Sequence, residues 1–131
     1  MGSPPRRILA FASVLLITFA VSACNGVAPS PTTGLTGVVF RGPITPVCRI
    51  DVPCDAPFSA TFRVQRGGRQ IAQFQSDSSG QFTVHLDPGA YSVVPNADAP
   101  VFSPMVQAKS VTVEDTGVLT VVRLIFDTGI R

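Results

Sequence analysis

The stretch Asp77-Ser78-Ser79-Gly80-Gln81-Phe82-Thr83-Val84-His85-Leu86-Asp87-Pro88-Gly89-Ala90-Tyr91-Ser92-Val93 decides the fold of this 131-residue chain. Phe82, Val84 and Leu86 alternate with Gln81, Thr83 and His85, the period of two that sends successive side chains to opposite faces of a strand. Ahead of them, the Asp77 carboxylate can accept turn amides, and Gly80 can take a positive φ that other residues resist. After them, Pro88-Gly89 reverses the chain, and Tyr91 and Val93 return along the same core. The stretch reads as turn, strand, reversal and strand.

The same period recurs on both sides. Phe58-Ser59-Ala60-Thr61-Phe62-Arg63-Val64 and Lys109-Ser110-Val111-Thr112-Val113-Glu114 alternate in the same way. Strands are expected near 35–41, 58–66, 69–75, 80–86, 90–95, 109–114 and 118–127, separated by turn formers such as Gly67-Gly68 and Asp115-Thr116-Gly117. No stretch carries a helical period. The expectation is an all-β domain: a seven-stranded antiparallel Greek-key β-sandwich over residues 34–131, long enough for one domain and not two.

The residues quoted first resemble the carboxypeptidase regulatory-like domain, a prealbumin (transthyretin)-type sandwich of secreted and envelope proteins. The likeness rests on Asp77, Gly80, Phe82, Leu86, Pro88-Gly89 and Tyr91 in register, with Gly34-Leu35-Thr36-Gly37-Val38-Val39 similar to the family's first strand. It implies a module that is usually non-catalytic; carboxypeptidase activity belongs to a separate domain of those enzymes. Hydroxyisourate hydrolases share the fold type, but they carry several histidines and end in Tyr-Arg-Gly-Ser. This chain has one histidine, His85, and ends Asp127-Thr128-Gly129-Ile130-Arg131.

The N-terminus reads as an address. Arg6 and Arg7 precede an uncharged, mostly apolar run, Ile8 to Val21, of 14 residues. That suits the apolar core of a secretory signal and falls short of the roughly 20 residues that span a bilayer. Val21-Ser22-Ala23-Cys24 resembles the bacterial lipobox, which implies cleavage before Cys24 and a diacylglycerol on its sulfur. Two or three acyl chains hold a protein stably on a membrane. The competing reading is an ordinary secretory signal that happens to precede a cysteine. The domains expected are residues 1–23 as signal peptide, 24–33 as lipidated cysteine and Pro/Ser/Thr tether, and 34–131 as the sandwich. The location expected is a bacterial cell envelope, with the domain tied to the outer or cytoplasmic membrane and facing the periplasm or exterior.

Of ten basic residues, Arg6 and Arg7 lie in the leader, so the rest balance the eight acidic ones. A neutral chain without a basic cluster has no electrostatic purchase on nucleic acid.

Cys48 and Cys54 sit in the proline-rich loop Gly42–Pro57. In an exported protein such a pair is most simply a disulfide. A metal site would want more ligands, and a redox pair closer spacing. Asp127-Thr128-Gly129 is reminiscent of aspartic proteases, but too little chain follows it to build a flap; an end-of-strand turn is the simpler reading. His85 faces outward, with no nucleophile pairing evident from spacing. Lys109, the sole lysine, is badly placed for the isopeptide bond of adhesin repeats. The Asp77 turn offers too few oxygens for calcium. No catalytic residue, metal or cofactor is expected.

Two regions remain for binding. In the loop 96–105, Phe102 and Met105 either plug the end of the sandwich, the simpler reading, or face a partner. In the last strand Val122, Leu124 and Phe126 would fill the core, leaving Leu119, Val121 and Ile125 as an outer stripe interrupted by Arg123. That stripe either lies under the proline-rich loop or forms an interface. The function expected is a lipid-anchored binding or scaffolding module whose partner contacts are Phe102, Leu119, Val121 and Ile125. A carbohydrate- or cell-wall-binding module is the alternative, weakened by the absence of Trp, and a small hydrolase stands third.

Overall fold

A computed structural model of the protein describes residues 2–4 and 31–131; the leader and Cys24 lie outside them. Eight strands follow in order: β1 (Gly34–Gly42), β2 (Ala56–Pro57), β3 (Thr61–Arg66), β4 (Arg69–Gln75), β5 (Gln81–His85), β6 (Gly89–Pro95), β7 (Lys109–Val113) and β8 (Leu119–Asp127). One 3₁₀ turn, Pro104–Val106, interrupts the loop before β7. The strands form two sheets. In the first, β1 is flanked by β8 on one side and by β5 and β2 on the other; the second runs β4-β3-β6-β7.

The alternation read from the sequence becomes the core. Leu35 and Val39 of β1, Phe62 and Val64 of β3, Val93 of β6 and Phe126 of β8 are all fully buried between the sheets. Phe62 stacks on Phe74 at 5.1 Å, Phe74 stacks on Phe82 at 4.3 Å, and Phe126 lies 5.3 Å from Phe62. Each buried aromatic contributes about 1.5–3 kcal/mol by removal from water, with about 0.5–1.5 kcal/mol more for each well-placed ring pair. Tyr91 is buried too and donates from its hydroxyl to the Asp87 carbonyl at 2.6 Å, so its polar end is satisfied.

The Asp77 turn forms as read. Asp77 Oδ1 accepts the amides of Ser79 and Gln81, each at 2.9 Å. Gly80 takes φ +74°, and a Cβ there would fall 2.4 Å from the Val39 carbonyl oxygen. Gly37 is a second position where only glycine fits, because its Cβ would come 1.8 Å from the carbonyl oxygen of Val122.

The architecture differs from the expectation in two respects. The pairing of β1 with β8 is parallel along its whole length, Gly34 beside Leu119 through Gly42 beside Asp127, whereas every other pairing is antiparallel. Alternation fixes which face a side chain takes but not the direction of the neighbouring strand, so this was not readable from the pattern. The strand expected over 58–66 divides between the sheets: Ala56–Pro57 pairs with β1 and Thr61–Arg66 with β4 and β6. The crossing is pinned by buried Ser76, whose hydroxyl donates to the Phe58 carbonyl at 2.8 Å and accepts from the Ala60 amide at 3.0 Å. The fold also starts slightly early. Thr33 is buried and its hydroxyl donates to the Leu86 carbonyl at 2.6 Å.

Candidate functional site

Along β1, Leu35 and Val39 point inward, so Thr36, Val38 and Phe40 point outward. Along β8, Leu124 and Phe126 are buried, so Leu119, Val121, Arg123 and Ile125 point outward. The parallel register sets these two outer rows side by side: Thr36 with Val121, Val38 with Arg123, Phe40 with Ile125. The proline-rich loop does not cover them. Val121 is 79% exposed and Ile125 44%, and the half-buried Leu119 continues the row.

Arg123 does not break this face into two. Its guanidinium lies 4.2 Å over the Phe40 ring and donates to Asp55 Oδ2 at 3.1 Å. The guanidinium therefore covers Phe40, and its charge is matched at the loop side of the sheet. So exposed an ion pair adds at most about 1 kcal/mol, so its effect is chiefly on orientation.

The edge of β8 is open as well. Thr128 donates its amide toward β1, to the Gly42 carbonyl at 3.1 Å. Asp127 faces the other way: its amide donates to Gln107 Oε1 at 2.7 Å, and its carbonyl accepts from Gln107 Nε2 at 2.9 Å. The Gln107 carboxamide thus stands in for a neighbouring strand at the last residue of β8. By alternation, Leu119, Val121, Arg123 and Ile125 direct their amides and carbonyls to the same outer edge, where no strand pairs with them among the described residues. An edge of that length without proline or bulge is a template for another chain.

The opposite face of the loop reading is also corrected. Phe102 and Met105 do not plug the sandwich; Phe102 is 59% exposed, and Met105 lies against Arg63, whose Nη2 reaches its sulfur at 3.1 Å. The end is closed by buried Ala99, with half-buried Val101 packed on the core. Phe102 is held from below, donating its amide to the Asp127 carbonyl at 2.8 Å. It sits at the far pole of the sandwich, away from the β8 stripe's centre.

Cys48 and Cys54 are joined in a disulfide, with Cα atoms 5.5 Å apart. The loop they close shares that pole: Ile44 donates to the Cys54 carbonyl at 2.8 Å, and Thr128 Oγ1 donates to the Pro43 carbonyl at 2.5 Å. Asp127-Thr128-Gly129 is the turn ending β8, with Gly129 donating to Asp127 Oδ1 at 2.8 Å and Arg131 Nη2 donating to Oδ2 at 2.8 Å. The hydrogen bonds from Arg131 and Gly129 hold the Asp127 carboxyl down at about 2, from an ordinary 3.8.

His85 lies on the outer face near the opposite pole, its Nδ1 3.1 Å from the Pro31 carbonyl. Lys109 lies with its ammonium 5.6 Å from the Phe126 ring. Among the described residues no group of three or more His, Cys, Asp or Glu is arranged to hold a metal, and no helix is long and apolar enough to cross a membrane.

Sequence reading identified the β8 side chains but missed Val38, Phe40 and Gln107. Val38-Val39-Phe40 is continuously apolar, so its outward members carry no signal of their own. The signal that could have flagged Gln107, a polar side chain near a strand end, is too common to be distinctive.

No family model matches the chain, and no curated protein does. Among solved structures, the fold is similar to a DUF3823 family protein from Bacteroides ovatus, with a TM-score of 0.51 and 22% identity over 73% of this chain and 44% of that one. The chain spans less than half the length of that protein, and the likeness is one of β-rich fold.

Proposed function

We propose that the protein is a lipid-anchored, non-catalytic module of a bacterial cell envelope, of the carboxypeptidase regulatory-like type, which docks another envelope protein. The observation that carries the reading is the pair of uncovered side chains Val121 and Ile125, with half-buried Val38 and Phe40 beside them, next to the open edge of β8. An exposed apolar stripe on a sheet whose edge still has hydrogen-bonding capacity suits strand addition, in which the backbone supplies affinity and alternate side chains supply specificity. A glycan platform is less well supported: Tyr91 is buried, and the outward Phe40 is already occupied by Arg123.

With a lipid on Cys24, the way the domain begins sets its orientation. Pro31 and Thr33 meet His85 and Leu86 at one pole. The few residues from Cys24 to Pro31 reach at most roughly 25 Å, so that pole would face the membrane. The disulfide loop, Phe102 and the C-terminus would face away from it.

Affinity capture of the full chain from membranes of its host tests the docking reading. Val121→Asp and Ile125→Asp should each abolish retention of a specific protein, while Ile71→Asp, as exposed as Ile125 but on β4 of the other sheet, should not. Retention on purified cell-wall polysaccharide alone would move the function to glycan binding. Labelling with radioactive palmitate, lost in Cys24→Ser, tests the anchor separately.

A further inference from the structure

Arg41 is out of keeping with its position. It lies on the inward face of β1, two residues beyond fully buried Val39, at the mouth between the sheets. Its guanidinium rests 5.9 Å from the Phe58 ring, and Nη1 donates to the Pro100 carbonyl at 3.1 Å. Nε is closed off from solvent and meets no acceptor among the described residues. Arg41 takes part in neither of the ion pairs found among the described residues, Arg123 with Asp55 and Arg131 with Asp127. Arg41 as a whole is half-buried and its Nη side reaches solvent, so the orphan is Nε alone, and an orphan of that kind in a native fold calls for an explanation.

Beside it lies a cavity of about 250 Å³ lined by Arg41, Ile44, Pro100, Thr128 and Ile130. Its walls come from three separate segments, and each is fixed to a neighbour. Thr128 is bonded to Gly42 and Pro43, Ile44 to Cys54, and Pro100 to Arg41 itself. The cavity is therefore formed in advance, with the Arg41 side chain and the aliphatic side chains of Ile44, Pro100 and Ile130 in its lining. The Nη edge of the guanidinium, with donors that Pro100 does not take, matches a carboxylate, and Ile44, Pro100 and Ile130 match a short aliphatic tail. Phosphate or sulfate would meet the same cation but leave Ile44, Pro100 and Ile130 without a partner.

We infer that this cavity is a binding site for an aliphatic carboxylate, with Arg41 taking the carboxylate and Ile44, Pro100 and Ile130 taking the tail. The site is independent of the β8 face: it opens at the pole away from the tether and shares no residue with Val121, Ile125, Val38 or Phe40. Two sources present this chemistry, a free short-chain acid and the C-terminal residue of a peptide.

Titration of the full chain in detergent, followed by amide chemical shifts, tests it with four probes: isovalerate, isovaleramide, a tripeptide ending in valine, and its C-terminal amide. The expected result is saturable shifts of Ile44, Thr128 and Ile130 with one or both acids and none with the amides. Response to isovalerate alone assigns a free acid, and tighter binding of the tripeptide assigns a peptide C-terminus. Arg41→Gln should weaken binding at least about tenfold, the loss expected for a charge-assisted hydrogen bond. Should that variant fold poorly, Ile130→Glu gives a second route, since it offers Arg41 an internal carboxylate and should block the acids in a folded protein. No saturable response to either acid, equal response to acid and amide, or undiminished binding in a folded Arg41→Gln or Ile130→Glu protein would overturn the assignment.

Discussion

Replacing Cys48 and Cys54 together by serine should cost about 2 kcal/mol. The bridge joins residues six apart in sequence; for so short a ring the chain-entropy relation gives about 8 cal/mol/K, or roughly 2.4 kcal/mol at 25 °C. In a domain of this size each kcal/mol moves the melting temperature by about 4–8 °C, so a fall of roughly 10–15 °C is expected. The loss should be local at first. The Ile44 amide, bonded to Cys54, and the Thr128 hydroxyl, bonded to Pro43, depend on the loop, whereas Phe62, Val64 and Val93 are fully buried on the strands of the other sheet. Calorimetry of the double variant should therefore be joined to hydrogen exchange. Early loss of protection at Ile44 with the β3 and β6 amides preserved is the expected pattern. A melting temperature within about 3 °C of the parent, or equal loss of protection throughout the core, would refute the view that the bridge acts by closing this loop.

Three further outcomes follow from the packing and the charges. Phe62→Ala removes the ring that meets Phe58, Phe74 and Phe126 and should cost about 3–5 kcal/mol in urea unfolding. Gly37→Ala drives a methyl into the Val122 carbonyl, so it should part β1 from β8 and give little soluble, folded protein on size exclusion, while Gly68→Ala, where a Cβ meets open space but φ is +77°, should be tolerated with only a modest loss. Asp127, held down at about 2 from 3.8, contributes stability that is complete above its ordinary value and is lost as the pH falls from about 4 toward 2. Asp127→Asn should remove that part of the acid dependence, which melting curves across the interval would register.

The sandwich was legible because its strands are half-buried. Phe82, Val84 and Leu86, or Phe62 and Val64, announce a face by their period, and Asp77 with Gly80 announces a turn by its chemistry. The outward Val121 and Ile125 were legible for the same reason, since fixing Leu124 and Phe126 inward fixes the others outward. What the period could not supply was partnership between distant strands. The parallel register of β1 with β8 depends on contacts more than eighty residues apart, and it is that register which sets Phe40 beside Ile125. Phe102 misled for a related reason: an apolar residue in an irregular loop has no alternation to give its direction. Here the closure fell to Ala99 and Val101, smaller side chains that fit the narrow end of the core. Gln107 and Arg41 owe their roles wholly to where strand ends meet.

The most direct test of the docking face is site-specific photo-crosslinking in living cells of the host. A benzophenone side chain placed singly at positions 121, 125 and 71 of the full chain compares β8 with an equally exposed strand of the other sheet. The account predicts one discrete protein adduct from 121 and 125 and none from 71. Adducts from 71 alone, or the same diffuse pattern from all three, would contradict it.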